Sequence, residues 1–538
     1  MNLIATQNEV LEWGYTSGKI YSDPFNSIDL DVVLEHESGI TWRVPAFWAG
    51  GQEWRVRFAP PIPGDFQVTT ICSDVDNPTL HRQEALLQAS PYQGQHPLKY
   101  HGSLRVAASR RTLEFSDGTP FFWLGDTWWM GLCNRLQWPE NFQKLVADRQ
   151  AKGFTVIQIV AGLYPDMPAF DSRGVNEGGF PWQPEFTSIN PFYFDMADLR
   201  IQWLVHSGLV PCIVGCWGYY LPLLGLEKMK KHWRYLVARW SAYPVIWCLA
   251  GEALMPFYLA KDKPGDELTQ KNGWTELAGY VREIDPFHRL ITIHPTSIGR
   301  NQLQDEDLLD INMLQTGHDG YRSVPNTINL VCREYQRSPA MPVLVGEANY
   351  EGILQNSEAA VQRLTFWSAI LSGACGYTYG ANGLWQLNTH IKPYGASPWG
   401  VTWGGLAWED ASQLPGSGQL GMAKRLLMRY KWWYFEPHPE WVEPSGSADN
   451  VDFPFAAGIP GEVRIIYFYW PTFQAPNRQY KICHLEPGLN YKAYFWNPRN
   501  GQEFILGEVK QGDDNTWIIP IQPELKDWVI VLERLEAR

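Results

Sequence analysis

Two glutamates stand at the ends of apolar runs. Glu252 closes the strand-like part of VIWCLAGEAL, residues 245–254, and Glu347 does the same in PVLVGEA, residues 342–348. An ionised carboxylate left unpaired in a dry core is costly, so such a run must open onto water, a partner or a ligand. Two carboxyls facing each other across a pocket can break a glycosidic bond. At a separation of about 5–5.5 Å one attacks the anomeric carbon, while the other protonates the leaving oxygen and later activates water. The nucleophile must stay ionised, which asks for His, Tyr or Arg donors around it. The acid must keep its proton, which burial and the neighbouring negative charge can arrange. Spacing alone does not say which is which. The plain alternative for Glu252 is a cap on the next segment or a pair with an arginine.

The elements that would position these acids are legible from about residue 110, where strand-like runs alternate with helical ones, the pattern of βα units around a parallel sheet. Eight runs, FFWLG, TVIQIVA, VPCIVGCW, VIWCLAG, LITIHP, INMLQTGH, PVLVGEA and GACGYTYG, predict a closed (β/α)8 barrel. Helices are expected over NFQKLVADRQAKG, KMKKHWRYLVARW and SEAAVQRLTFWSAILSG. A doubly wound open sheet would carry a Gly-rich phosphate loop after its first strand, and FWLGDTWWMGL has none. Residues 1–105 hold short alternating runs such as IDLDVVLEH, EWRVRFAP and DFQVTTICS between turn signals. Residues 436–538 return to short strands, VRIIYFYW, YKAYFWNP, TWIIPI and DWVIVLE. The expected chain is therefore a β-sandwich, a barrel over 106–435 and a second β-sandwich.

In such a barrel the active site lies at the C-terminal ends of the strands. The polar residues there are Asp126, Glu252, His294, His318, Glu347, Tyr377 and Tyr379, with Trp128, Trp129, Trp217 and Trp385 just beyond. A long loop after the second strand brings Tyr164, Asp166 and Asp171, and HIKPYGASPWGVTWGGLAW follows the last strand. Asp126 is expected to accept sugar hydroxyls, with a helix cap or an ion pair as the alternative. His318, Tyr377 or Tyr379 would hold the nucleophile ionised, and the tryptophans would stack on sugar, although adjacent Trp128 and Trp129 cannot both face the pocket in extended chain.

Composition narrows the ligand. The net charge of −13 disfavours a nucleic-acid backbone, and no apolar stretch reaches the roughly 20 residues a bilayer needs. With 27 Trp, 25 Tyr and 24 Phe the chain is rich in flat rings that suit sugar faces. The eight cysteines form no CxxC pair and are expected to be reduced. Neither HxxxH spacing nor a GxSxG elbow occurs, so neither a metal nor a cofactor is called for. MNLIATQNEVLEWGY has no basic start and apolar signal core, which makes a cytoplasmic enzyme the default, or a secreted or periplasmic one if a leader has been removed. A homo-oligomer stays open.

The motifs FFWLGDTWW, IWCLAGEA, LQTGH, GEANYEG and GYTYGANGLWQ, in this order over about residues 110–435, together resemble the apiosidase-like glycoside hydrolases. The segment WRVRFAPPIPGDF is similar to the immunoglobulin-like domain that often precedes such barrels. The resemblance implies Glu252 as general acid/base, Glu347 as nucleophile and Asp126 as a sugar contact, and it leaves Glu351, the main rival carboxylate, for the rim or an arginine pair. It implies a retaining exo-β-apiosidase acting on apiose-bearing plant glycosides or pectic side chains. Apiosidase-like enzymes tend to carry Gly-Asp where this chain has Gly251–Glu252, one methylene longer, which leaves sugar and linkage open. The alternatives are another clan A exo-glycosidase (β-galactosidase, β-glucosidase or arabinofuranosidase-like) and a non-catalytic carbohydrate-binding barrel.

Overall fold

The computed structural model describes residues 2–469 and 480–535. Eight parallel strands form its centre: β1 Trp123–Trp128, β2 Val156–Val160, β3 Val210–Val214, β4 Ile246–Cys248, β5 Ile291–Thr292, β6 Asn312–Gln315, β7 Val343–Glu347 and β8 Gly376–Tyr379. Neighbours pair in parallel from β1 to β5 and from β6 to β8, and β8 pairs β1 with Trp123 opposite Gly376. The remaining seam, β5 to β6, is held by Asp310 N–H donating to Ile291 O and Thr292 Oγ1 donating to Ile311 O, both at 2.9 Å. The sheet is thus a (β/α)8-type barrel. Its strands read as unbroken apolar runs because helices cover the outer face and side chains fill the inner one; all five residues of β2 are buried.

The covering helices are α1 Glu140–Lys152, α2 Pro191–His206, α3 Leu226–Trp240, α4 Lys263–Ile284, α5 Val324–Gln336, α6 Ala359–Leu371 and α7 Pro415–Leu427. In α3 the residues at spacings of three and four, Met229, Trp233, Leu236, Val237 and Trp240, are fully buried against the sheet. One unit departs from the expected alternation. Between β5 and β6 the chain makes only two 3-10 turns, Gly299–Asn301 and Glu306–Leu308.

The N-terminal sandwich packs a five-stranded sheet on a three-stranded one around Leu30, Val32, Leu34, Val56, Phe58 and Val68. The C-terminal one pairs a six-stranded sheet with a three-stranded one around Ile466, Phe468, Phe495, Trp528 and Ile530. In the run VRIIYFYW the strand spans Val463–Phe468, and Trp470 lies outside the described residues. Each sandwich braces the barrel through buried charge. Arg57 pairs with Asp198 of α2 at 2.5 Å and donates to Arg239 O of α3, while Arg363 of α6 grips Asp527 with two nitrogens. No helix among the described residues is long and apolar enough to cross a membrane.

Candidate active site

The two Gly-Glu corners meet at the C-terminal mouth of the barrel, and close packing explains both glycines. A Cβ on Gly251 would sit 2.2 Å from the Trp217 ring, and one on Gly346 would sit 2.2 Å from the Met313 side chain. Any other residue would push away the neighbour that fixes the corner. Glu252 itself has φ +40, a conformation non-glycine residues rarely hold, at a cost of about 1–3 kcal/mol. The surrounding bonds over-determine it: Gly251 N–H to Cys216 O, Gly218 N–H to Gly251 O and Ala253 N–H to His294 O. On the other side, the β6–β7 register slips between Leu314 and Gln315, so that Gln315 comes opposite Glu347 rather than Gly346. Such a bulge re-aims side chains.

The consequence is a compact constellation. Gln315 Nε2 donates to Glu252 Oε1 and to Glu347 Oε1, each at 2.9 Å. Two such bonds from one nitrogen limit the oxygen separation to 5.8 Å, or 2 × 2.9 Å. Glu347 Oε1 also accepts from His318 Nε2 at 2.7 Å, and its Oε2 lies 3.0 Å from His294 Nε2. The backbone N–H of Glu252 points at His294 Nδ1, which leaves the Nε2 proton for Glu347. Glu252 Oε2 faces Trp217 Nε1 at 3.3 Å.

These surroundings separate the two acids electrically. Burial alone would raise the pKa of Glu347, but His294 and then His318 outweigh it and hold the carboxyl well below the usual range. Burial, followed by the charge of Glu347, pushes Glu252 upward. The two pKa values are thereby driven apart, the arrangement that nucleophilic and general-acid roles require.

A cavity of about 420 Å³ opens above the pair. Trp129, Trp217, Tyr350 and Trp385 line its inner part, and Asp166, Met255, Tyr258, Trp399, Val401 and Trp403 build the outer walls. Trp385 and His318 each stack on Tyr350, whose hydroxyl accepts from Trp129 Nε1 at 3.1 Å.

Of the sequence candidates, the structure brings Glu252, Glu347, Trp129, Trp217, His318 and Trp385 into this cavity. Five others face elsewhere. Asp126 is fully buried, pairs with Arg149 of α1 at 2.5 Å and accepts from Trp128 Nε1 at 2.7 Å, so its carboxylate is consumed by an ion pair rather than left for a hydroxyl. Trp128 points the same way and packs edge-on against Phe142. Tyr379 donates to Glu351 at 2.6 Å, and Tyr377 packs on Phe366 of α6. Neither tyrosine hydroxyl bonds to Glu347; His318 does so, and His294 Nε2 approaches its other oxygen to 3.0 Å. Tyr164 is buried against the Tyr193 hydroxyl. Glu351 is buried on Tyr379 and the Gly416 N–H, away from the cavity. Gln315, Tyr350, Tyr258, Trp399 and Trp403 were not singled out from sequence. Gln315 sits inside the quoted LQTGH, a polar residue at a barrel strand's end, and could have been found by that position alone.

The family model described as apiosidase-like, catalytic domain, matches residues 107–434. The chain belongs to the apiosidase-like family. It is a glycoside hydrolase by that membership. A second model, a domain of unknown function (DUF5060), matches residues 5–73. Comparison with curated proteins gives no match. Among solved structures, one called a glycoside hydrolase is 22% identical, with TM-score 0.63 over 82% of this chain and 98% of its own. A family 5 glycoside hydrolase from Bacteroides vulgatus is also 22% identical, with TM-score 0.66 over 82% and 94%. Another protein of that organism is 15% identical, with TM-score 0.68 over 99% and 100%. At these identities the likeness is one of fold.

Proposed function

We propose that this apiosidase-like glycoside hydrolase works with retention of anomeric configuration, with Glu347 as nucleophile and Glu252 as general acid/base. The observation that carries the reading is the single amide nitrogen of Gln315 bonded to both carboxylates. It limits the separation of the two bonded oxygens to 5.8 Å, closer to the roughly 5–5.5 Å of retaining enzymes than to the roughly 6.5–9.5 Å that leaves room for a directly attacking water. The substrate is a carbohydrate glycoside. Its glycone sits against Trp129 and Trp385, where indoles offer flat apolar faces. Loops after β2, β4 and β8 wall the cavity, which supports attack on a terminal residue.

Family membership favours a terminal β-apiosyl residue on plant glycosides or pectic side chains. Glu252, longer by a methylene than the aspartate common in the family, favours a second reading: another neutral sugar cleaved by the same chemistry, as in a β-galactosidase, β-glucosidase or arabinofuranosidase. A panel of p-nitrophenyl β-D-apiofuranoside, β-D-galactoside, β-D-glucoside and α-L-arabinofuranoside separates these. Proton NMR during the first minutes of turnover then reads the stereochemistry. The anomer released first is expected to match the substrate's configuration; first release of the opposite anomer would rule out the assigned roles.

A further inference from the structure

The long loop after β2 delivers a third carboxylate to the cavity. Asp166 lines it, is only 8% exposed and stands at φ +56. A non-glycine residue holds this conformation only where the surroundings enforce it. Two other loops do so: Tyr258, after β4, donates its hydroxyl to Asp166 Oδ1, and Trp403, after β8, donates Nε1 to Oδ2 at 3.2 Å. Arg173 is the cation nearest in sequence, but its guanidinium is committed to Asp171 and to the carbonyls of Tyr394, Ala396 and Asp166. Burial, helped by the charge of Glu347, raises the Asp166 pKa against these donors.

A carboxylate offers about four lone-pair sites, and Tyr258 and Trp403 fill two. The others are free for a ligand in the cavity, whose described lining contains Asp166, Glu252 and Glu347 but neither lysine nor arginine. A sugar carboxylate placed there would meet three acidic side chains and neither a lysine nor an arginine.

We propose that Asp166 is a substrate-binding residue that accepts hydrogen bonds from two neighbouring hydroxyls of an uncharged glycone, and so selects sugars presenting such a diol. This rests on the glycosidase reading above. A bystander Asp166, serving only to latch the three loops, is the competing account.

The test compares Asp166→Asn and Asp166→Ser with Tyr258→Phe and Trp403→Phe, which remove a latch donor and leave the carboxylate. The four p-nitrophenyl substrates above are used, with p-nitrophenyl β-D-glucuronide added. Two lost bonds to a charged acceptor should lower kcat/KM about 100-fold for the sugar that the wild type cleaves. The inhibition constant of that free sugar should rise by about 10-fold, and on both quantities each Asp166 variant should lose more than either latch variant, whose residues also wall the cavity. Losses in Asp166→Asn no larger than those in Tyr258→Phe and Trp403→Phe would overturn the proposal while leaving the hydrolase intact. Efficient glucuronide hydrolysis by the wild type, an arm that needs no variant, would do the same. A wild type inert towards all five substrates would remove the glycosidase reading, and this proposal with it.

Discussion

Glu347→Ala should leave p-nitrophenyl glycoside turnover lower by about 10⁴-fold or more, because no other group can form the glycosyl-enzyme. Glu252→Ala should lose about 10²–10⁴-fold, the worth of a general acid/base. Added azide separates the roles. With a nitrophenolate leaving group the first step needs little acid help, and azide, a small anion that requires no general base, can then attack the glycosyl-enzyme. Glu252→Ala should therefore recover and yield a glycosyl azide of retained configuration, whereas any azide product from Glu347→Ala, formed by one direct displacement, should have the inverted configuration. The same configuration from both variants would contradict the assignment. The pH profile carries the same information. The proposed roles need Glu252 protonated and Glu347 ionised, so activity should fall as pH rises through the elevated pKa of Glu252. It should persist well to the acid side, because Glu347 is held low by its two histidines. Azide-rescued Glu252→Ala should lose the alkaline limb.

The second large effect is on stability. Asp126 and Arg149 are both fully buried and paired at 2.5 Å between β1 and α1, and removing Asp126 leaves the guanidinium only Asp148 and Ser412 O, both on Nη1. Asp126→Ala is expected to cost about 3 kcal/mol, the low end for breaking a buried pair. Scanning calorimetry should show a clear fall in the barrel's unfolding temperature, while KM, measured at a temperature where the variant is still folded, stays within two-fold of wild type. An unchanged unfolding temperature with a ten-fold higher KM would restore Asp126 as a sugar contact.

That contrast shows what the sequence could reveal. Glu252 and Glu347 were visible because a parallel barrel strand, buried on both faces, is written almost wholly in apolar residues, so a carboxylate at its end stands out. The direction of a side chain is not written in this way. Successive strand residues alternate faces, and a misjudgement of one position moves a candidate from pocket to outer layer. Asp126, Trp128 and Tyr379 fall on the outward side, gathered with Glu351 around Arg149, whose guanidinium also lies 5.9 Å from the Tyr379 ring. Trp129 fell on the inner side because β1 ends at Trp128 and the chain turns there. The role of Gln315 depends on a slip of one residue between β6 and β7, which no local pattern announces. Trp399 and Trp403 were legible only as a Gly- and Trp-rich stretch, since loop conformation decides what they cover. The missing helix after β5 had no signal beyond the polar, irregular segment between LITIHP and INMLQTGH.

In the proposed mechanism Glu347 forms the covalent intermediate while Glu252, two hydrogen bonds away through Gln315, handles the proton. This mechanism is tested most directly by incubating the enzyme with a 2-fluoro activated glycoside of the sugar it cleaves, then digesting it and mapping the label by mass spectrometry. The account predicts one glycosyl unit on the peptide containing Glu347, with the ester on that residue and the wild-type stoichiometry lost in Glu347→Gln. A label on Glu252 or Glu351 would contradict it.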